Sequence, residues 1–113
     1  MKREFRLTRS ADFERVRQSG KSYPHPLVVL LALPNELGTT RIGIAAGRSV
    51  GNAVIRNRAK RLLRACLVSL LPKMTEGWDV VLLARKPLPA AGYWQALTAL
   101  EATLKRAGLL KAR

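Results

Sequence analysis

The chain has 113 residues, 48% of them hydrophobic, and carries a formal net charge of +14. That length bounds it to one domain with a single modest core, and the ordinary apolar content excludes a disordered basic tail. The lone cysteine, Cys66, excludes a disulfide framework or a cysteine metal cluster.

The charge makes nucleic acid the leading partner class, and the excess of fourteen arginines over seven lysines suits bidentate phosphate contacts and stacking on bases. Binding to an anionic membrane surface would call for exposed Trp, Phe or Leu beside Lys, whereas the apolar side chains here are needed for a core. Residues 1–5 lack the apolar run of a signal peptide and no stretch is long enough to span a bilayer, so the expected location is cytoplasmic.

Residues 1–9 read as a short, basic, extended arm. Ser10 is a good N-cap for a two-turn helix over residues 11–18, with Asp12 and Glu14 complementing its dipole and Gly20 ending it. Phe13 and Val16 share a face of this helix, a spacing that favours a core anchor over a base-stacking platform for Phe13. Tyr23-Pro24-His25-Pro26 is stiff and extended, and His25, the sole histidine, reads as structural or surface-exposed.

Residues 27–33 form a continuous apolar strand, and Pro34-Asn35-Glu36-Leu37-Gly38 is turn chemistry. Residues 41–47 are a second strand, predicted to pair with the first as an antiparallel hairpin. The small side chains at Gly43, Ala45, Ala46 and Gly47 would let something approach it closely. Residues 79–84 are apolar on both faces, predicting a central strand, with Arg85-Lys86-Pro87 at its end. Residues 93–107 close the fold as an amphipathic helix with Trp94, Leu97, Leu100 and Leu104 inward and Tyr93 a further candidate for that side, and residues 109–113 are a basic tail. Strand, long helix, strand predicts parallel pairing of residues 41–47 with 79–84, and general handedness favours a right-handed crossover.

The long helix between those strands is the most informative stretch. It is predicted to start near Asn52 and run to about Leu71, with Pro72 marking its end. At about 100° per residue, Ile55, Ala59, Leu62, Leu63, Cys66 and Leu70 fall on one side. Arg56, Lys60 and Arg64 form a column on the other, with Asn57 and Arg61 beside it and Arg58 at the flank of the apolar stripe. A solvated helix face normally mixes signs, but no Asp or Glu occurs between Glu36 and Glu76. Unpaired like charges one turn apart weaken a helix by a few tenths of a kcal/mol per pair, a cost that a polyanion turns into binding. Arg56, Arg58, Lys60, Arg61 and Arg64 can each neutralise a phosphate, and Asn57 can hydrogen-bond phosphate, ribose or a base edge.

No constellation for protein-side catalysis accompanies them: no Ser-His-Asp arrangement, carboxylate pair, metal-ligand spacing or glycine-rich phosphate loop. Aromatics are too sparse for a stacking sheet of the RRM kind. A structural RNA-binding protein such as a ribosomal one is the competing reading. A DNA-binding module is weaker still, because a strand rather than a short helix precedes the basic helix.

The string Gly51-Asn52-Ala53-Val54-Ile55-Arg56-Asn57-Arg58-Ala59-Lys60-Arg61-Leu62-Leu63-Arg64 resembles the signature of the protein subunit of bacterial ribonuclease P, G-N-A-V-x-R-N-R-x-K-R-x-x-R, at every fixed position. Arg6-Leu7, Asp12-Phe13, Arg41-Ile42-Gly43 and Ala84-Arg85-Lys86-Pro87 extend the resemblance over residues 5–109. It implies a single α+β domain over residues 1–113, an α-β-β-β-α-β-α sandwich with a left-handed β-α-β crossover in place of the right-handed one. It also implies a function: assisting a catalytic RNA, which carries Mg²⁺-dependent chemistry, in removing the 5′ leader from precursor tRNA, with no obligate protein partner.

The resemblance further implies two surfaces. The signature helix (Arg56, Asn57, Arg58, Lys60, Arg61, Arg64) faces the catalytic RNA, and a cleft between the first helix and the sheet takes the single-stranded leader. Carried over by position, Phe13 stacks or packs at that cleft and Arg48 is a cationic contact, with Arg6 and Arg17 as further leader-binding residues. This chain departs from the family pattern in having Arg17 where a second aromatic is frequent, Val28 and Leu31 at aromatic positions of the first strand, and Ser49 where a second basic residue precedes the signature. Base stacking contributes about 1–3 kcal/mol per base, so its scarcity predicts leader contacts that lean on charge.

Overall fold

Residues 28–33 and 80–84 contain only Val, Leu and Ala, the composition of strands covered on both faces, and they form the two inner strands of a four-stranded sheet. The computed structural model describes residues 5–111. In chain order the elements are α1 (Ser10–Ser19), β1 (Lys21–Pro24), β2 (Val28–Pro34), β3 (Arg41–Ala45), α2 (Ala53–Leu70), β4 (Trp78–Ala84) and α3 (Tyr93–Arg106), the α-β-β-β-α-β-α succession. The sheet order is β1-β2-β4-β3, with β3 and β4 parallel and the other neighbours antiparallel.

The parallel pairing and the central place of β4 agree with the sequence reading. The hairpin between the second and third strands does not form: β4 inserts between β2 and β3 and pairs with β2 from Val28↔Ala84 to Pro34↔Trp78. Two strands that are apolar on both faces bury most by lying side by side at the centre. β3, with Arg41 and Gly43 on one face, is suited to the edge it occupies.

Alternation along the strands divides the interior into two layers. Val28, Leu30, Ala32, Ile42, Val80 and Leu82 face α2 and α3, where they meet Leu63, Cys66, Leu67, Leu70, Leu100 and Leu104. Leu31 and Val81 point to the opposite face, beneath Val16 of α1 and Leu7 of the N-terminal arm. Each fully buried Leu or Val contributes about 1.5–3 kcal/mol of hydrophobic stabilisation. Val28 therefore belongs to the main core, on the sheet face opposite α1, and only Leu31 of the two departing strand positions lies on the α1 side.

Two expectations near the C-terminus are corrected. Trp94 is 75% exposed, because the inward stripe of α3 runs through Ala96, Ala99, Leu100, Thr103 and Leu104. Tyr93 takes the first-turn position at its edge, and the Trp94 ring stands edge-on to Tyr93 at 5.1 Å. The expected tail is anchored at its start. Leu109 is fully buried, its carbonyl accepts from the Thr75 N–H, and the Lys111 N–H donates to the Lys73 carbonyl; Ala112 and Arg113 lie outside the described residues.

Candidate nucleic-acid interface

Gly51, at φ 148°, turns the chain into α2, a backbone geometry that favours glycine. Asn52 caps the helix: its Oδ1 accepts from the Ile55 N–H at 3.0 Å. The buried stripe is Ala59, Leu63, Cys66, Leu67 and Leu70, while Ile55 and Leu62 are half-buried. The stripe is thus rotated toward Leu67 from the one expected, and this changes the basic column. Arg56 lies two turns before Leu63 and shares its side, so it is half-buried and its Nε has no hydrogen-bond partner among the described residues. Lys60 is half-buried beside it, whereas Asn57, Arg58, Arg61 and Arg64 are exposed. The column of Arg56, Lys60 and Arg64 thus skirts the core, and the outward face is carried by Asn57, Arg58 and Arg61. Among the described residues none of these basic side chains makes an ion pair.

On the opposite sheet face, α1 lies over β2 and β4 and its Phe13 ring reaches β3. A Cβ on Gly43 would overlap that ring, so the close approach read from the small residues of this strand is occupied by Phe13. Phe13 is half-buried, both a core contact and an accessible ring. The N-terminal arm continues the β3 edge: Arg6 bridges to Ile42 in parallel, and the Leu7 N–H donates to the Ile42 carbonyl at 2.9 Å. A cavity of about 540 Å³ opens at this edge, lined by Arg6, Phe13, Ile42, Ile44 and Arg64. Arg64 of the signature helix therefore borders the same cavity as Phe13 of α1. Arg17, exposed one turn after Phe13, and Arg48, exposed in the single 3₁₀ turn Arg48–Val50 ahead of α2, lie outside that lining.

A cluster that sequence reading missed holds α1 in place. Asp79 of β4 is fully buried and accepts from Arg15 of α1, from Arg41 of β3 at 3.0 and 2.8 Å, and from Asn35 at 2.8 Å. Asp12 joins through Arg15 at 3.2 Å and Arg41 at 3.7 Å. Burial alone would raise the Asp79 pKa, but the hydrogen bonds from Arg41, Arg15 and Asn35 outweigh it and hold the carboxyl below the ordinary range. The same hydrogen bonds raise Arg41 and Arg15. The available signal was a lone acid opening an otherwise apolar strand, Asp79, opposite Arg41 in a parallel register. Burial likewise pushes the Cys66 thiol up, as suits a packing residue. His25 is structural: its Nδ1 accepts from the Leu27 N–H at 3.0 Å.

The comparisons with known proteins agree with this architecture. The ribonuclease P family model matches residues 1–108. The ribonuclease P protein component of Chloroflexus aurantiacus is 40% identical over 113 residues, covering 99% of this chain and 84% of the relative. That of Symbiobacterium thermophilum is 38% identical, covering 98% and 97%. The Staphylococcus aureus RNase P protein structure superposes with a TM-score of 0.85 at 30% identity, covering 95% and 98% of the two chains. The Thermotoga maritima RNase P protein gives 0.80 at 30% identity, covering 89% and 96%. A family match over nearly the whole chain, close relatives of similar length and a shared fold carry one conclusion: the chain belongs to the ribonuclease P protein family.

Proposed function

We propose that this chain is the protein subunit of a ribonucleoprotein endonuclease that removes the 5′ leader from precursor tRNA, with the RNA subunit performing the phosphodiester hydrolysis. The observation that carries the reading is the set of exposed arginines on α2, Arg58 and Arg61 on its outward face and Arg64 at its flank, with no acid paired to them among the described residues. Arg56, Asn57, Arg58, Lys60, Arg61 and Arg64 contact the catalytic RNA in this reading, mainly through its phosphates. The leader runs past Phe13 at the β3 edge, with Arg6, Arg17 and Arg48 as its cationic contacts. Arg64, which borders the Phe13 cavity, lies where the two RNAs meet.

Magnesium belongs on the RNA in this account. Asp12 and Asp79, linked through Arg15 and Arg41, are both already engaged by arginines, which suits them poorly to hold the ion. No group of three or more His, Cys, Asp or Glu side chains lies close enough to hold a metal among the described residues. No helix among the described residues is long and apolar enough to cross a membrane.

Reconstitution tests the proposal. Adding the full chain to a ribonuclease P RNA at low Mg²⁺ is expected to restore cleavage of precursor tRNA at its 5′ end. No stimulation of an RNA that is active alone at high Mg²⁺ would leave the structural RNA-binding reading in its place.

A further inference from the structure

A second cationic concavity lies away from the Phe13 cavity, at the C-terminal end of β4. An open cavity of about 650 Å³ is lined by Pro24, His25 and Pro26 on one side and by Ser49, Arg85 and Lys86 on the other. That volume lies within the roughly 300–1,000 Å³ range of ligand-sized pockets. None of its lining residues is acidic. Two more cations stand at its margin: Arg106 donates to the carbonyl of the wall residue Pro24 at 2.6 Å, and Arg48 precedes Ser49 in the chain.

The cations are held on a fixed frame. The Arg85 N–H donates to the Leu27 carbonyl at 3.0 Å, and the Leu88 N–H donates to the Arg85 carbonyl at 2.9 Å, so the turn carrying Arg85 and Lys86 is tied at both ends. Arg85 Nη1 also reaches the His25 carbonyl at 3.4 Å, leaving most of its donors for a ligand. Prolines 24, 26 and 87 stiffen the walls. Arg85 and Lys86 are exposed and make no ion pair among the described residues, so their charge contributes little to holding the fold.

From this geometry we infer that the cavity is a phosphodiester-binding subsite for RNA, with Arg85 and Lys86 as its anion-binding side chains. It deepens the RNA-binding function proposed above and rests on it. The phosphodiester comes either from the leader of precursor tRNA or from the catalytic RNA, and the two sources are separated by experiment.

The test uses the full chain with Arg85→Ala and Lys86→Ala combined. One arm measures catalytic-RNA affinity against salt. The other measures affinity of the assembled holoenzyme for precursor tRNA with leaders of increasing length. Two charge-assisted contacts are removed, so a loss on the order of tenfold or more is expected in one arm. The logarithmic salt slope is expected to fall by roughly 0.7–0.9 per cation removed. The thermal midpoint is expected to stay unchanged, and Lys86→Arg to retain binding. A loss confined to the first arm assigns the catalytic RNA, and a loss that appears only with a leader present assigns the leader. Unchanged affinity and slope in both arms, with Arg61→Ala still weakening catalytic-RNA binding, would overturn the subsite alone. If Arg61→Ala were also without effect, the RNA-binding reading would fail with it.

Discussion

Arginine is used in two opposite ways on the two sides of this sheet. Arg15 and Arg41 are tied to Asp12 and Asp79, and the fully buried Asp79 carboxylate collects donors from α1, β3 and the loop after β2. On α2, Arg58, Arg61 and Arg64 have no acid partner among the described residues and stand in solvent. The first set pins α1, and with it Phe13, against the sheet. The second is left for a polyanion. The difference teaches that the number of arginines says little about a surface until each is asked whether an acid has already neutralised it.

Breaking the first set should show the largest effect. Leaving a buried charge short of its partner costs up to about 3–5 kcal/mol, so Arg41→Ala, which strips the fully buried Asp79 carboxylate of two of its donors, is expected to lower the urea midpoint sharply. Unchanged stability would mean that the clamp is dispensable. The pH dependence follows in sign. The folded pKa of Asp79 is depressed, so its contribution is complete above the unfolded value of about 3.9 and is lost as pH falls through the lower folded one. The stability gap between the wild type and Asp79→Asn should therefore be widest near neutral pH, begin to narrow only below about pH 4, and close once pH has fallen through the depressed folded value.

A smaller effect tests how the two sides share the leader. If leader contacts lean on charge, its affinity falls steeply with salt, and Phe13→Ala costs no more than the roughly 1–3 kcal/mol of a single stacked base. A shallow salt dependence with a larger loss in Phe13→Ala would contradict this. The smallest expected effect inverts the logic of α2 by supplying the missing acid. Val54 is 65% exposed in the first turn of α2, one turn before Arg58. Val54→Glu would complement the helix dipole and pair with Arg58, raising stability by roughly 0.2–0.5 kcal/mol while weakening catalytic-RNA affinity. Tighter RNA binding in that variant would contradict the account.

Much of this was legible from residue pattern. Asn52 and Pro72 bracketed α2, and the doubly apolar run through residues 80–84 announced the central strand. Strand order was not legible, because the turn chemistry at residues 34–38 suits a hairpin equally well, and only the burial of two doubly apolar strands side by side decides against it. The exact rotation of α2 also escaped. A stripe centred on Leu63 and one that includes Leu62 differ by less than one residue's turn of about 100°, yet that offset moves Arg56 from the solvent side to the rim of the core. It also makes the fully buried Leu63 the position where an introduced Asp would be most disruptive, ahead of Ile55 and Leu62, which are half-buried against the same core. The Asp79 clamp joins residues 12, 15, 35, 41 and 79, a constellation that exists only once the sheet is assembled.

The most direct measurement pairs two readings on Arg61→Ala: thermal stability of the isolated protein and affinity for the catalytic RNA across salt concentrations. Arg61 is exposed on the outward face of α2 and makes no ion pair among the described residues. The account predicts an unchanged melting temperature, RNA affinity lower by about tenfold, and a logarithmic salt slope reduced by roughly 0.7–0.9. A parallel fall in stability and affinity, or RNA binding with its slope intact, would contradict it.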